Sequence, residues 1–199
     1  MYKTLIRPVL FKFNPEVAHN LTLNGLKVLR RIPFARNIVR LIYKREHPNL
    51  EREVFGIKFP NPVGLAGGLD KNGEVYNELS DFGFGFVEIG SLTAKPQPGN
   101  PKPRLFRVVK DKAIINRMGI NNHGVTQAIR NINSNHPRVI IAGNIAPNSS
   151  SQGEQVTEDY KTAFSLLYDF VDMFVINISC PNVVGLTSLQ EVSSLSDIM

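Results

Sequence analysis

Cys180, the only cysteine of the 199-residue chain, stands between two carboxamides, Asn177 and Asn182, in the stretch Phe174 to Leu186, FVINISCPNVVGL. A thiol ionises far more readily than an alcohol, and the thiolate is the form that attacks or takes a proton. Each amide side chain offers donors and an acceptor in one plane, a match for a flat polar ring. Phe174, Val175, Ile176 and Ile178 make a short apolar run of the kind found in strands buried on both faces of a parallel sheet. Pro181 cannot donate to a strand ladder, so the strand ends before it. The thiol then lies at the C-terminal mouth of a core strand, where barrel and doubly wound α/β folds do their chemistry. The competing interpretation is a thiol used as apolar filler, with the two asparagines closing turns.

A second stretch with chemical content is Gly67-Gly68-Leu69-Asp70-Lys71-Asn72-Gly73-Glu74, directly after the apolar run Val63-Gly64-Leu65-Ala66. Glycines after a strand let a ligand approach the backbone closely, and Lys71 adds a cation at the same place. Neither the Walker spacing nor the dinucleotide fingerprint is present. Nothing in the sequence points to a metal.

These residues need elements to hold them. Strand and helix patterns alternate: strands at 63–66, 86–90, 138–143 and 173–178, and helices at 74–82, 124–132 and 158–169. Gly68, Ser91, Asn144 and Asn177 each fall at the C-terminal end of a strand. The regularity predicts a parallel α/β sheet with crossover helices. Residues 53–60 alternate and turn at Gly56, which predicts a short hairpin. Residues 94–122 show little regular pattern; their prolines, amides and basic residues predict an ordered loop capping a site.

Residues 1–45 differ from the rest. Asn14-Pro15-Glu16 is a helix start, with a capping side chain, proline at the first position and an acid in the first turn. Val17, Leu21, Leu23, Leu26, Val28 and Leu29 follow at helical spacing, and Pro33 separates a second apolar and basic helix. Ten basic residues stand against Glu16 and Glu46 in residues 1–49, a net +8 out of the chain's +6, leaving −2 elsewhere. A basic amphipathic segment suits a membrane interface, and the lack of a nucleic-acid motif argues against nucleic acid as partner. The alternative is an arm packed on its own domain. No apolar run reaches the ~20 residues of a membrane span, and Lys3, Arg7 and Lys12 interrupt any signal-peptide core. A single cysteine allows no internal disulfide and fits a reducing compartment.

Several motifs in one order resemble the class 2, membrane-associated dihydroorotate dehydrogenases. They are Asn14-Pro-Glu-Val-Ala-His19, Gly64-Leu-Ala-Gly-Gly-Leu-Asp-Lys-Asn-Gly-Glu74, Val87-Glu-Ile-Gly90, Pro96-Gln-Pro-Gly-Asn100, Pro103-Arg-Leu-Phe-Arg107, Ile115-Asn-Arg-Met-Gly119 and Asn177-Ile-Ser-Cys-Pro-Asn182. The resemblance implies an eight-stranded (β/α) TIM barrel, of which about the first half is present. Residues 1–48 would be the amphipathic membrane and quinone segment, and residues 49–199 the first half of the FMN-binding barrel. It implies oxidation of dihydroorotate to orotate in pyrimidine synthesis, with a quinone reoxidising FMN, at the cytoplasmic face of the inner membrane. By position, Gly67, Gly68, Leu69, Asp70, Lys71, Ser91, Asn144 and Asn177 resemble the cofactor contacts. Lys71, Asn116, Arg117, Met118, Gly119, Ile120, Asn177 and Asn182 resemble the substrate contacts. Cys180 stands in the place of the catalytic base, and His19 and Arg107 where the quinone tunnel opens.

The pattern departs from the family at three places. Class 2 enzymes usually carry serine where Cys180 stands, an aromatic is common at the place of Ile120, and Ala146-Pro147 replaces a commoner Gly-Lys. The later strands and their phosphate loops are absent, so the chain reads as truncated, inactive alone and prone to self-association through open sheet edges. Two other readings stay open: a soluble class 1-like enzyme with another acceptor, and a non-catalytic membrane-binding or assembly fragment.

Overall fold

The computed structural model describes residues 2–182 together with 189, 190 and 196; residues 183–186 of the cysteine-bearing stretch lie outside these. The chain opens with a π-helical turn, Tyr2–Ile6, and three helices: α1 (Arg7–Leu10), α2 (Pro15–Leu29) and α3 (Ala35–Tyr43). The start of α2 is as its sequence requires: the Asn14 side chain accepts from the Glu16 amide at 2.9 Å, and Pro15 takes the first helical position. Next comes the antiparallel hairpin β1 (Arg52–Val54) and β2 (Ile57–Phe59), turning at Phe55 and Gly56, both with positive φ.

The rest alternates as expected: β3 (Gly64–Leu65), α4 (Tyr76–Ser80), β4 (Phe86–Leu92), the hairpin β5 (Leu105–Val108) and β6 (Ala113–Asn116), α5 (Val125–Asn135), β7 (Ile140–Ile145), α6 (Glu154–Leu167) and β8 (Met173–Ile176). Strands β3, β4, β7 and β8 form one parallel four-stranded sheet in that order. Along β4 the side chains alternate. Val87 and Ile89 are fully buried against the helices, while Phe86 and Glu88 lie on the other face. The core joins Val87, Ile89, Ile141 and Ile145 of the sheet to Val75, Tyr76 and Leu79, to Val125, Ala128 and Ile132, and to Tyr160, Ala163 and Leu167. At the N-terminal end of the sheet, the Phe59 ring meets Phe86 edge-on at 5.5 Å, and a Cβ on Gly64 would sit 2.1 Å from the Phe86 ring.

Two expectations need correction. Residues 94–122 are not all loop, since β5 and β6 pair over four residues each. Their alternation is hidden because apolar residues follow one another, Leu105 and Phe106 in β5 and Ile114 and Ile115 in β6, so no period of two marks a buried face. The helix expected from Glu74 starts at Tyr76, because the buried Asp70 carboxylate accepts from the Glu74 and Val75 amides, both at 2.8 Å, and holds them outside the helix.

The N-terminal helices are mounted in two ways. α2 buries Ala18, Leu23 and Leu26, and both leucines join the main core. α3 buries nothing. Its Arg36 and Arg40, one turn apart, both bind the buried carboxylate of Asp81, Arg40 at 2.5 Å. That turns the opposite face outward, leaving Ile38, Leu41 and Ile42 exposed, Leu41 at 81%. Among the described residues no helix is long and apolar enough to cross a membrane.

Candidate active site

The cleft at the C-terminal end of the sheet encloses about 560 Å³. Each strand delivers part of its wall: Gly67 and Gly68 follow β3, Ser91 ends β4, Asn144 lies in β7, and Asn177, Cys180 and Asn182 follow β8. Ile114 and Asn116 of β6 and Met118, Gly119 and Ile120 after it close another side, and His19 of α2, Lys71 and Leu105 of β5 complete the lining. Residues that the sequence scatters over more than 160 positions thus meet around one space.

The polar groups are held in place. Asn177 donates from Nδ2 to Ser91 Oγ at 2.7 Å, its amide bonds Ile145 O at 2.9 Å, and its own carbonyl accepts from the Tyr160 hydroxyl at 2.7 Å. Asn144 donates from Nδ2 to Glu88 Oε1 at 2.5 Å, and its Oδ1 is buried with no partner among the described residues. A Cβ on Gly67 would lie 2.6 Å from Glu88 Oε1, so a side chain there would push that carboxylate away from Asn144. Gly68, with φ +102°, has open space where a Cβ would stand, so a flat ligand can approach its Cα. The amide of Gly68 is tied to Gly90 O at 2.8 Å.

Lys71 donates to Gly68 O at 2.5 Å. Burial, then the Arg104 charge, lower its pKa from the ordinary lysine value, against the opposing pull of Glu16 and Asp70. Burial and the Lys71 charge likewise lower the pKa of His19. Both shifts come chiefly from burial, and an anion placed beside Lys71 would act against its shift. Asn116 accepts the Met118 amide at 2.9 Å, and Asn100 donates to the carbonyls of Arg117 and Asn182, at 2.9 and 3.2 Å. Cys180 is a half-buried free thiol packed on the apolar pair Ile120 and Ala146.

Four expected site residues lie outside the lining. Leu69 packs on the main core, Asp70 is 1% exposed and caps the turn before α4, and Arg117 forks onto Pro103 O at 2.8 and 3.2 Å. Arg107 donates to the carbonyls of Phe13 and Leu10, at 2.7 and 3.3 Å, and stacks 4.5 Å above the Phe11 ring. Conversely, Glu88, Leu105 and Ile114 escaped the sequence reading. Glu88 alone left a trace, as an acid inside an otherwise apolar strand.

A parallel α/β sheet whose strand ends gather glycines, amides, a lysine and a thiol defines part of an α/β-barrel enzyme with its site at the barrel mouth. A family model described as dihydroorotate dehydrogenase matches residues 49–199, and the chain belongs to that family. It is 50% identical over 199 residues to a dihydroorotate dehydrogenase (quinone) of Christiangramia forsetii, and 41% identical over the same length to that of Methylococcus capsulatus. All of this chain aligns with 58% and 57% of those two relatives, so it spans a little over half their length. Among solved structures, a DHODH of Eimeria tenella in complex with ferulenol superposes with a TM-score of 0.80 at 35% identity, covering 93% of this chain and 49% of that one. The ligand-free type from the same organism gives 0.77 at 34% identity, covering 92% and 51%.

Proposed function

We propose that the chain is the N-terminal part of a quinone-dependent dihydroorotate dehydrogenase, and that its cleft holds FMN and dihydroorotate side by side. One observation carries this: residues from separate motifs, Gly68, Lys71, Ser91, Asn116, Asn144, Asn177, Cys180 and Asn182, border one space. The residues fit a flavin. The unpartnered Oδ1 of Asn144 is an acceptor awaiting a donor, and the open backbone of Gly68 allows a ring to lie close. When bound, FMN supplies the acceptor for the hydride that dihydroorotate loses.

The chain's own residues do the rest. Cys180, as thiolate, takes the proton from the ring carbon next to the substrate's carbonyl, while a hydride leaves the adjacent carbon; loss of H⁺ and H⁻ gives the double bond of orotate. Asn116, Asn177 and Asn182 hold the ring by its amide edges, and Lys71 offsets negative charge gathering on it. Ile120 and Ala146 keep water from the thiol's flank. Phosphate sites in such barrels lie after the last strands, beyond the four described here. A polypeptide of these 199 residues alone should therefore bind FMN weakly. Titration with FMN tests this: weak binding is expected, and a stoichiometric yellow complex of the 199-residue chain would place the phosphate site elsewhere.

The N-terminal segment docks on the cytoplasmic face of the membrane in this reading. The support is α3, whose apolar face points outward, together with exposed Leu5, Val9, Phe13, Val17 and Leu21. His19 lines the cleft from α2, so a quinone entering between the helices would reach the flavin. A chain starting at Glu51 that binds vesicles as well as the parent would refute the docking and favour a soluble enzyme with another acceptor.

A further inference from the structure

Arg104 is 6% exposed and connects the N-terminal helices to the cleft wall. Its guanidinium binds the Glu16 carboxylate through both Nη2 (2.7 Å) and Nε (3.2 Å), in the first turn of α2. Its Nη1 donates to Pro98 O at 2.6 Å and Asn100 O at 3.0 Å, and its carbonyl accepts the Arg117 amide at 2.9 Å. Asn100 continues the path. Its amide bonds Met118 O at 2.9 Å, and its side chain reaches the carbonyls of Arg117 and Asn182. A Cβ on Gly119 would lie 2.7 Å from Asn100 Cγ, so the two segments touch without slack. One chain of hydrogen bonds thus runs from α2 to both flanks of the cleft. A fork that serves a carboxylate and two carbonyls at once is a task for arginine alone.

We propose that Glu16 and Arg104 are positioning residues: the Glu16–Arg104 fork transmits the seating of α2 to the walls bearing Asn116, Met118 and Asn182, so that displacing the membrane-facing helix reshapes the substrate pocket. The proposal rests on the assignment of that pocket given above. α2 has a second tether, Lys27 to Glu74 at 2.7 Å, which leads to the core side and not to the pocket. That difference makes the coupling separable from a general loosening of the helix. Lys102 also approaches Glu16, at 3.4 Å, but is 68% exposed and touches no pocket wall, so it adds charge without guidance.

Amide hydrogen exchange on the full 199-residue chain tests the coupling. Glu16→Gln should speed exchange of the Asn100 and Arg117 amides about tenfold, the effect of losing one charge-assisted fork. Leu79 and Ala128 in the core should keep parental rates. Arg104→Lys should behave like Glu16→Gln, because an ammonium cannot serve the carboxylate and both carbonyls together. Lys27→Met should leave Asn100 and Arg117 unchanged. Parental rates at Asn100 and Arg117 in Glu16→Gln would overturn the proposal, as would equal acceleration in Lys27→Met. In a parallel titration of the chain completed with the remaining strands of the Christiangramia forsetii relative and loaded with FMN, orotate affinity should fall severalfold in Glu16→Gln and hold in Lys27→Met. Failure of the parent itself to bind orotate would count against the pocket's assignment, and the exchange rates would still decide the coupling.

Discussion

The sheet and α3 use the same residue types in opposite ways. Ile89 and Ile141 are fully buried between sheet and helices, while Ile38, Ile42 and Leu41 stand in solvent. In the sheet, apolar burial holds the structure. In α3, the bonds of Arg36 and Arg40 to Asp81 and the Tyr43–Phe82 ring contact at 5.2 Å hold the helix, and the face bearing Ile38, Leu41 and Ile42 is left over. The difference teaches that an amphipathic pattern fixes two faces without saying which one meets the protein. It also changes the expected membrane contact. The arginines of α3 are bonded inward, so the contact is chiefly apolar, and the charge attraction is left to residues such as Lys3, Lys12 and Arg31.

The comparison can be broken at several points. The largest effect is expected from Asp81→Ala, which removes the carboxylate shared by Arg36 and Arg40 and leaves Arg36 only the Asn77 carbonyl at 3.1 Å and Glu78 at 4.0 Å. Loss of a partner from a fully buried pair costs about 3–5 kcal/mol; with Arg36 still partnered and Arg40 partly exposed, chemical denaturation should show a loss of about 2 kcal/mol. A smaller loss, roughly tenfold in vesicle affinity, should follow Leu41→Gln, since removing one buried apolar side chain from the interface forfeits about 1.5 kcal/mol or more. Stability should stay at the parental value, because Leu41 is 81% exposed. A loss of stability in Leu41→Gln would mean that α3 packs the other way round. Smaller again is the salt effect: raising salt from about 0.1 to 1 M shrinks the screening length from ~10 to ~3 Å, yet vesicle binding should weaken only a few-fold.

The smallest effect concerns pH. Burial holds the pKa of His19 below its ordinary value of 6.5. The unfolded chain then binds the extra proton first, so stability rises with pH toward and through that value and falls as pH drops below it. His19→Gln should flatten this part of the stability profile; an unchanged slope would assign it to other groups.

Much of the site was legible because strand ends carry their own punctuation. Gly67-Gly68, Ser91, Asn144 and Asn177 each follow an apolar run, and a parallel sheet brings the ends of its strands to one rim. What stayed hidden depends on partners distant in the chain. The β5–β6 hairpin has no buried face to betray it. Arg104 resembles its basic neighbours Lys102 and Arg107, and only the fold shows that it alone is enclosed. The packing of Cys180 on Ile120 and Ala146 joins three positions that no local spacing relates.

The central claim is that Cys180 takes the substrate's proton. The direct measurement is the rate of flavin reduction by dihydroorotate in a barrel completed with the remaining strands of the Christiangramia forsetii relative. Cys180→Ala should lose a factor on the order of 10²–10⁴, the usual contribution of a general base. Orotate affinity should hold nearly unchanged, since Asn116, Asn177 and Asn182 still line the cleft. Cys180→Ser should need a higher pH to reach its full rate. Flavin reduction in Cys180→Ala within about threefold of the parent at every pH, below any general-base contribution, would contradict the account and leave the thiol as filler beside Ile120 and Ala146.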